Sequence, residues 1–132
     1  MIDSIKKILF TGSLNDEYLS DLVADLSETI DEHNLELFSY SNSKNENQLS
    51  NVKPLMESDV SEMDLIVSIG GDGTMLKSSK LASNHNVPIT GINKGRLGFL
   101  TDINPELVSD ALKEIIQGDY HIESRMLLDV KI

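Results

Sequence analysis

Leu65-Ile66-Val67-Ser68-Ile69-Gly70-Gly71-Asp72-Gly73-Thr74 is the stretch on which the reading of the chain turns. Its first five residues are almost continuously apolar, which suits a strand covered on both faces of a parallel sheet. The glycines end that strand, and a helix is expected to start near Thr74 and run to about Ser83. A strand that empties through glycines into a helix is how open α/β sheets hold phosphate. Without Cβ atoms the backbone amides can close in, and the helix N-terminus adds partial positive charge. Asp72 stands among those amides, where a polyanion would repel it unless it has a task. Two tasks fit phosphoryl transfer: accepting a proton from an attacking hydroxyl, or helping to hold Mg²⁺. A third reading is an Asx turn onto its own backbone. Thr74 either caps the helix or bonds a phosphate oxygen. Lys77, one turn on, either reaches a phosphate or is a solvated surface lysine. The stretch lacks the Gly-Lys-Ser/Thr triplet of a Walker A loop and the spacing of the dinucleotide fingerprint.

Upstream, Ile8-Leu9-Phe10 reads as a first strand closed by Thr11-Gly12. An amphipathic helix is expected from Leu14 to His33, with Leu19, Leu22, Val23, Leu26 and Ile30 at helical spacing, Ser13 as cap and Asn34 as stop. Leu35 to Tyr40 alternates as a second strand, and Ser41 to Ser50 is a polar loop. Between Asn51 and Met63, Val52, Leu55, Met56 and Val60 suggest a weak helix with Pro54 near its start. Downstream, Val87 to Ile92 is a strand. It leads into a second glycine-rich segment, Asn93-Lys94-Gly95-Arg96-Leu97-Gly98-Phe99-Leu100, expected beside the first turn because consecutive parallel strands tend to be neighbours. There Asn93 can hydrogen-bond a base or sugar, and Phe99 either stacks on a ligand or packs in the core. A helix follows, capped by Asn104, begun by Pro105 and stopped by Gly118, with Leu107, Val108, Ala111, Leu112, Ile115 and Ile116 as its buried stripe. Met126, Leu128, Val130 and Ile132 alternate with polar residues as a half-buried strand. The expected fold is α/β: an open, mostly parallel sheet flanked by helices over residues 1–123, and a final strand, 124–132, that opens a second, β-rich domain lying beyond the chain.

The chain has 132 residues, enough for one domain that buries about two-thirds of its unfolded surface. Eleven basic residues against 22 acidic ones give a formal net charge of −11. That balance argues against a nucleic-acid or anionic-membrane surface. There is no cysteine to supply a disulfide, a thiol nucleophile or a zinc ligand. His33, His85 and His121 are scattered and form no ligand spacing. No stretch approaches the ~20 apolar residues of a membrane span, and the apolar start is too short for a signal peptide. A cytoplasmic protein is the expectation.

Two motifs together carry a resemblance. Ile69-Gly70-Gly71-Asp72-Gly73-Thr74-Met75-Leu76, followed by Gly91-Ile92-Asn93-Lys94-Gly95-Arg96-Leu97-Gly98-Phe99-Leu100-Thr101-Asp102, resembles the NAD kinase family, within the wider NAD kinase/diacylglycerol kinase superfamily. The first motif alone is shared with diacylglycerol and sphingosine kinases and, more loosely, with 6-phosphofructokinases. The resemblance implies transfer of the γ-phosphate of ATP (polyphosphate in some members) to the adenosine 2′-hydroxyl of NAD, with Mg²⁺ or another divalent cation. It makes Asp72 the proton acceptor, Gly73 a backbone contact to the dinucleotide and Lys77 a basic contact. Gly70, Gly71 and Thr74 belong to the same nucleotide-binding turn. Phe99 and Leu100 would line the NAD pocket, with Asn93, Gly95 and Gly98 shaping that loop. Arg125 to Ile132 resembles the first strand of the family's second domain, which supplies most of the NAD pocket and much of a homo-oligomer interface. On this reading the chain alone is expected to have little or no activity. The alternatives are a lipid-kinase domain, disfavoured by the acidic, aromatic-poor composition, and a nucleotide-binding module without turnover.

Overall fold

Residues 4–12, 16–40, 52–93 and 105–118 are described by the structure, a computed structural model. Five strands form one sheet: β1 (Lys7–Gly12), β2 (Glu36–Tyr40), β3 (Val52–Leu55), β4 (Leu65–Gly70) and β5 (Ile89–Asn93). Their order across the sheet is β3-β2-β1-β4-β5, and every neighbouring pair is parallel. The helices are α1 (Asp16–Asp25), α2 (Ser27–His33), α3 (Asp72–His85) and α4 (Pro105–Ile116), with a 3-10 helix at Glu57–Glu62. The α/β class and the parallel sheet are as the sequence implies.

Strand alternation divides the core between two faces. Ile8, Phe10, Leu37, Leu65, Val67 and Ile69 pack against Leu19, Leu22 and Leu26 of the α1–α2 segment and Val108, Leu112 and Ile116 of α4. Leu9 and Ile66 point the other way, toward Leu55, Val60, Met63, Ala82 and Val87. β4 is buried along Leu65 to Ile69 on both faces, as its apolar run requires.

Several elements depart from the sequence expectation, each for a local reason. The long first helix is two helices joined at Leu26, whose amide is shared between the Leu22 and Val23 carbonyls at 3.1 and 3.2 Å. This is a tightened step in one rod rather than a break. Asn34 ends α2 in the left-handed conformation, φ 53°, as expected of its stop role. The weak helix over 51–63 is instead β3 followed by the 3-10 helix. Val52, Leu55 and Val60 are buried as strand and turn residues, and Pro54 is tolerated because β3 is an edge strand among the described residues. α3 starts at Asp72, two residues before the expected Thr74, and runs to His85. In α4 the buried stripe is Val108, Leu112 and Ile116 with Ser109, while Leu107 is 67% exposed and Ala111 faces solvent. Gly118 follows α4 at φ 95°, as a helix stop should. The Ser13 and Asn104 caps, the 41–50 loop, the segment 94–100 and the strand 126–132 lie outside the described residues.

One contact that periodicity cannot reveal fixes the entry of β1. The Asp64 carboxylate accepts hydrogen bonds from the Lys6 and Lys7 amides at 2.8 and 2.9 Å, just before the two central strands pair. Lys6 Nζ donates to the His33 carbonyl at 2.7 Å, placing a cation at the C-terminus of α2. Asp64→Ala is expected to lower stability by about 1–3 kcal/mol, since charge-assisted bonds are lost and two amides are left without their acceptor. A urea titration checks this: the midpoint should fall while the slope stays the same.

Candidate active site

Strand order reverses between β1 and β4, and open α/β sheets take ligands beyond the C-terminal strand ends at such a reversal. Gly12 ends β1 and Gly70 ends β4, with Gly12 beside Ile69 and Gly70 beside Asn93 in register. The turn therefore sits centrally on the sheet's C-terminal edge, next to the end of β5, as neighbouring strands require.

The helix begins directly at the turn. Gly71 is its N-cap residue, in extended conformation, and no side chain caps it. The first intrahelical bond runs from the Met75 amide to the Gly71 carbonyl at 3.0 Å. Helix geometry leaves the amides of Asp72, Gly73 and Thr74 without an acceptor inside α3, directed at the crevice side of the sheet. Asp72 is the first helical residue, where a negative charge is favoured by the helix dipole.

Thr74 does not cap the helix. Its side chain is wedged against the two strand ends. A Cβ on Gly70 would lie 2.9 Å from Thr74 Oγ1, and one on Gly12 would lie 2.9 Å from Thr74 Cγ2 and collide with the Ile69 carbonyl oxygen. Both glycines have positive φ, 109° at Gly12 and 155° at Gly70. Gly73 differs: its backbone is helical, and among the described residues a Cβ there would meet nothing within 4 Å. Among the described residues nothing demands glycine at this helical position. Lys77 is exposed one turn above Gly73, and Leu76 and Lys80 are exposed on the same side of α3.

Residues 14–120 match the family model of the ATP-NAD kinase N-terminal domain. The chain belongs to the NAD kinase family. The NAD kinase of Heliobacterium modesticaldum is 46% identical over 79 residues, 60% of this chain and 28% of that protein. An NAD kinase of Pseudomonas aeruginosa is 48% identical over 69 residues, 52% of this chain and 23% of that protein. An NAD kinase of Buchnera aphidicola is 49% identical over 69 residues, 52% of this chain and 24% of that protein. The chain spans about a quarter of the length of these curated relatives.

For an NAD kinase family member, the structure brings Gly70, Gly71, Asp72, Gly73, Thr74 and Lys77 together at the start of α3, with the backbone of Asn93 at the neighbouring strand end. Gly95, Gly98, Phe99 and Leu100 lie outside the described residues. Gly12 borders the candidate site and was missed by sequence reasoning; Thr11-Gly12 reads as a mere strand ending until the topology sets it beside β4. His85 is at the far end of α3, where its Nδ1 lies 2.9 Å from Ser61 Oγ, so it ties the 3-10 helix to α3. Among the described residues no helix is long and apolar enough to cross a membrane.

The three glycines should respond differently to alanine. Gly12→Ala is expected to destabilise by about 1–3 kcal/mol, because strained backbone and a carbonyl collision coincide. Gly73→Ala should leave stability unchanged or raise it by up to about 1 kcal/mol. Thermal unfolding of the two variants checks the contrast.

Proposed function

We propose that this chain supplies the phosphate-binding turn and proton acceptor for ATP-dependent phosphorylation of the adenosine 2′-hydroxyl of NAD, giving NADP. Family membership supports the reaction. The observation that carries the local reading is Gly73: a glycine in the first turn of α3, with no described neighbour where its side chain would be.

In this reading the amides after Gly70 and Gly71 receive phosphate oxygens, and the Gly73 backbone approaches the dinucleotide. Lys77 adds positive charge one turn above. By resemblance to the family, Phe99 and Leu100 would line the NAD pocket, with Asn93, Gly95 and Gly98 shaping that loop. The 2′-hydroxyl oxygen of NAD bonds to the γ-phosphorus of ATP, and the bond from that phosphorus to the bridging oxygen breaks, its electron pair leaving with ADP. The hydroxyl proton passes to the Asp72 carboxylate. Positioning and charge stabilisation supply most of the rate in phosphoryl transfer, and the base matters as the hydroxyl proton becomes acidic.

Among the described residues no three His, Cys, Asp or Glu side chains gather as a metal cage. A divalent cation such as Mg²⁺ would be held mainly by the nucleotide phosphates, leaving Asp72 as the proton acceptor. Such a cation would neutralise phosphate charge. The acidic excess supports a role without nucleic-acid or membrane partners, in keeping with a cytoplasmic enzyme.

The test replaces the matching segment of the Heliobacterium modesticaldum relative with this chain and measures NADP formation from ATP, Mg²⁺ and NAD. The hybrid is expected to be active, and Asp72→Asn to lower its kcat by about 10²–10⁴-fold. The same substitution should cost the fold no more than about 1 kcal/mol. Equal kcat for the two hybrids would remove Asp72 from the acceptor role.

A further inference from the structure

Beneath the glycine turn the structure holds a buried polar group that an apolar α3 face would not contain. Thr11 of β1 and Ser68 of β4 are register partners on adjacent parallel strands. Ser78 of α3 sits over both: its Oγ lies 2.8 Å from Thr11 Oγ1 and accepts from Ser68 Oγ at 2.9 Å. All three residues are at least 95% buried. Ser78 lies on the sheet-facing side of α3, one turn after Thr74 and one turn before Ala82. Thr11 immediately precedes Gly12, and Ser68 stands two residues before Gly70.

Apolar packing holds a helix on a sheet but specifies little about its sliding along the strands, because contacts between smooth side chains are non-directional. Hydrogen bonds are directional and weaken steeply with misalignment. A serine bonded to two strands at one register fixes α3 both along its axis and between β1 and β4. The amides of Asp72, Gly73 and Thr74 are carried on the same rigid helix, within two turns of Ser78. Local misplacement of such donors by about an ångström is enough to cost a ligand-binding or catalytic site much of its effect.

We propose that Ser78 is a positioning residue: with Thr11 and Ser68 it fixes the register of α3, and so aims the amides of the turn at phosphate. This rests on the reading of that turn as a phosphate site. Thr74, wedged at Gly12 and Gly70, supports the helix from the crevice end, and the hydroxyl group supports it from below.

Two variants of the chain separate aim from bulk stability. Ser78→Ala leaves two buried hydroxyls without this partner. The combination Thr11→Val, Ser68→Ala and Ser78→Ala removes the whole polar group, a change that can be nearly neutral for stability. Amide hydrogen exchange is followed at Met75, whose bond to Gly71 reports the first turn of α3, and at Ile66, whose bond to Pro88 reports the sheet. Tripolyphosphate is the binding probe. In Ser78→Ala, exchange at Met75 is expected to rise by about tenfold more than at Ile66, the scale of one lost hydrogen bond. In the triple variant, protection at Ile66 should return while Met75 stays fast and tripolyphosphate affinity stays about tenfold below the unaltered chain. Equal changes at Met75 and Ile66, or full recovery of Met75 and of affinity in the triple variant, would show a merely structural role and overturn the proposal. Failure of the unaltered chain to bind tripolyphosphate would overturn the phosphate reading itself, whatever the exchange at Met75.

Discussion

Close approach of α3 to the ends of β1 and β4 is the constraint on which the rest depends. It requires residues without bulk at both surfaces. Gly12 and Gly70 leave the space that Thr74 fills, and Ser78 and Ala82 bring the helix axis down onto the sheet. Gly91 makes the same concession on β5, where a Cβ would come within 2.5 Å of Met75 Sδ. The N-terminus of the helix is thereby held at the reversal of strand order, where an open α/β sheet presents its ligand crevice.

That constraint also explains an uneven stability around the site. The glycines with positive φ and the wedged threonine are parts of the fold, so their replacement acts on the folded chain. Gly73 stands apart, in regular helix with no described atom near where its Cβ would be. Glycine weakens a helix relative to alanine, and no described neighbour requires it at this position.

How much of this was legible in the sequence depended on whether a residue's role was local. β4 and its turn were legible because a strand buried on both faces is a continuous apolar run and glycines punctuate it. The extent of α3 was not, because its buried face carries Ser78 and Ala82 while Leu76, at 61% exposed, faces solvent. Hydrophobic period fails where a helix uses small and hydroxyl residues to approach a sheet. β3 was misread because Pro54 between Val52 and Leu55 imitates a helix start, and only pairing with β2 makes it an edge strand. Gly12 and Asp64 act through partners more than fifty residues away in sequence, so their importance arises from topology. The family was legible from two motifs, and the first of them now has a geometry: the acidic residue opens the helix and the glycines shape its approach to the strands.

The central claim is that phosphate is received at the start of α3. Amide chemical shifts of the isotopically labelled chain, followed as ATP with Mg²⁺ is added, test it most directly. The largest changes are expected at Gly71, Asp72, Gly73 and Thr74, with smaller ones at Gly12 and little change in α2 or β3. Saturable ATP binding that leaves Gly71 to Thr74 unmoved would contradict the account, as would no binding at all.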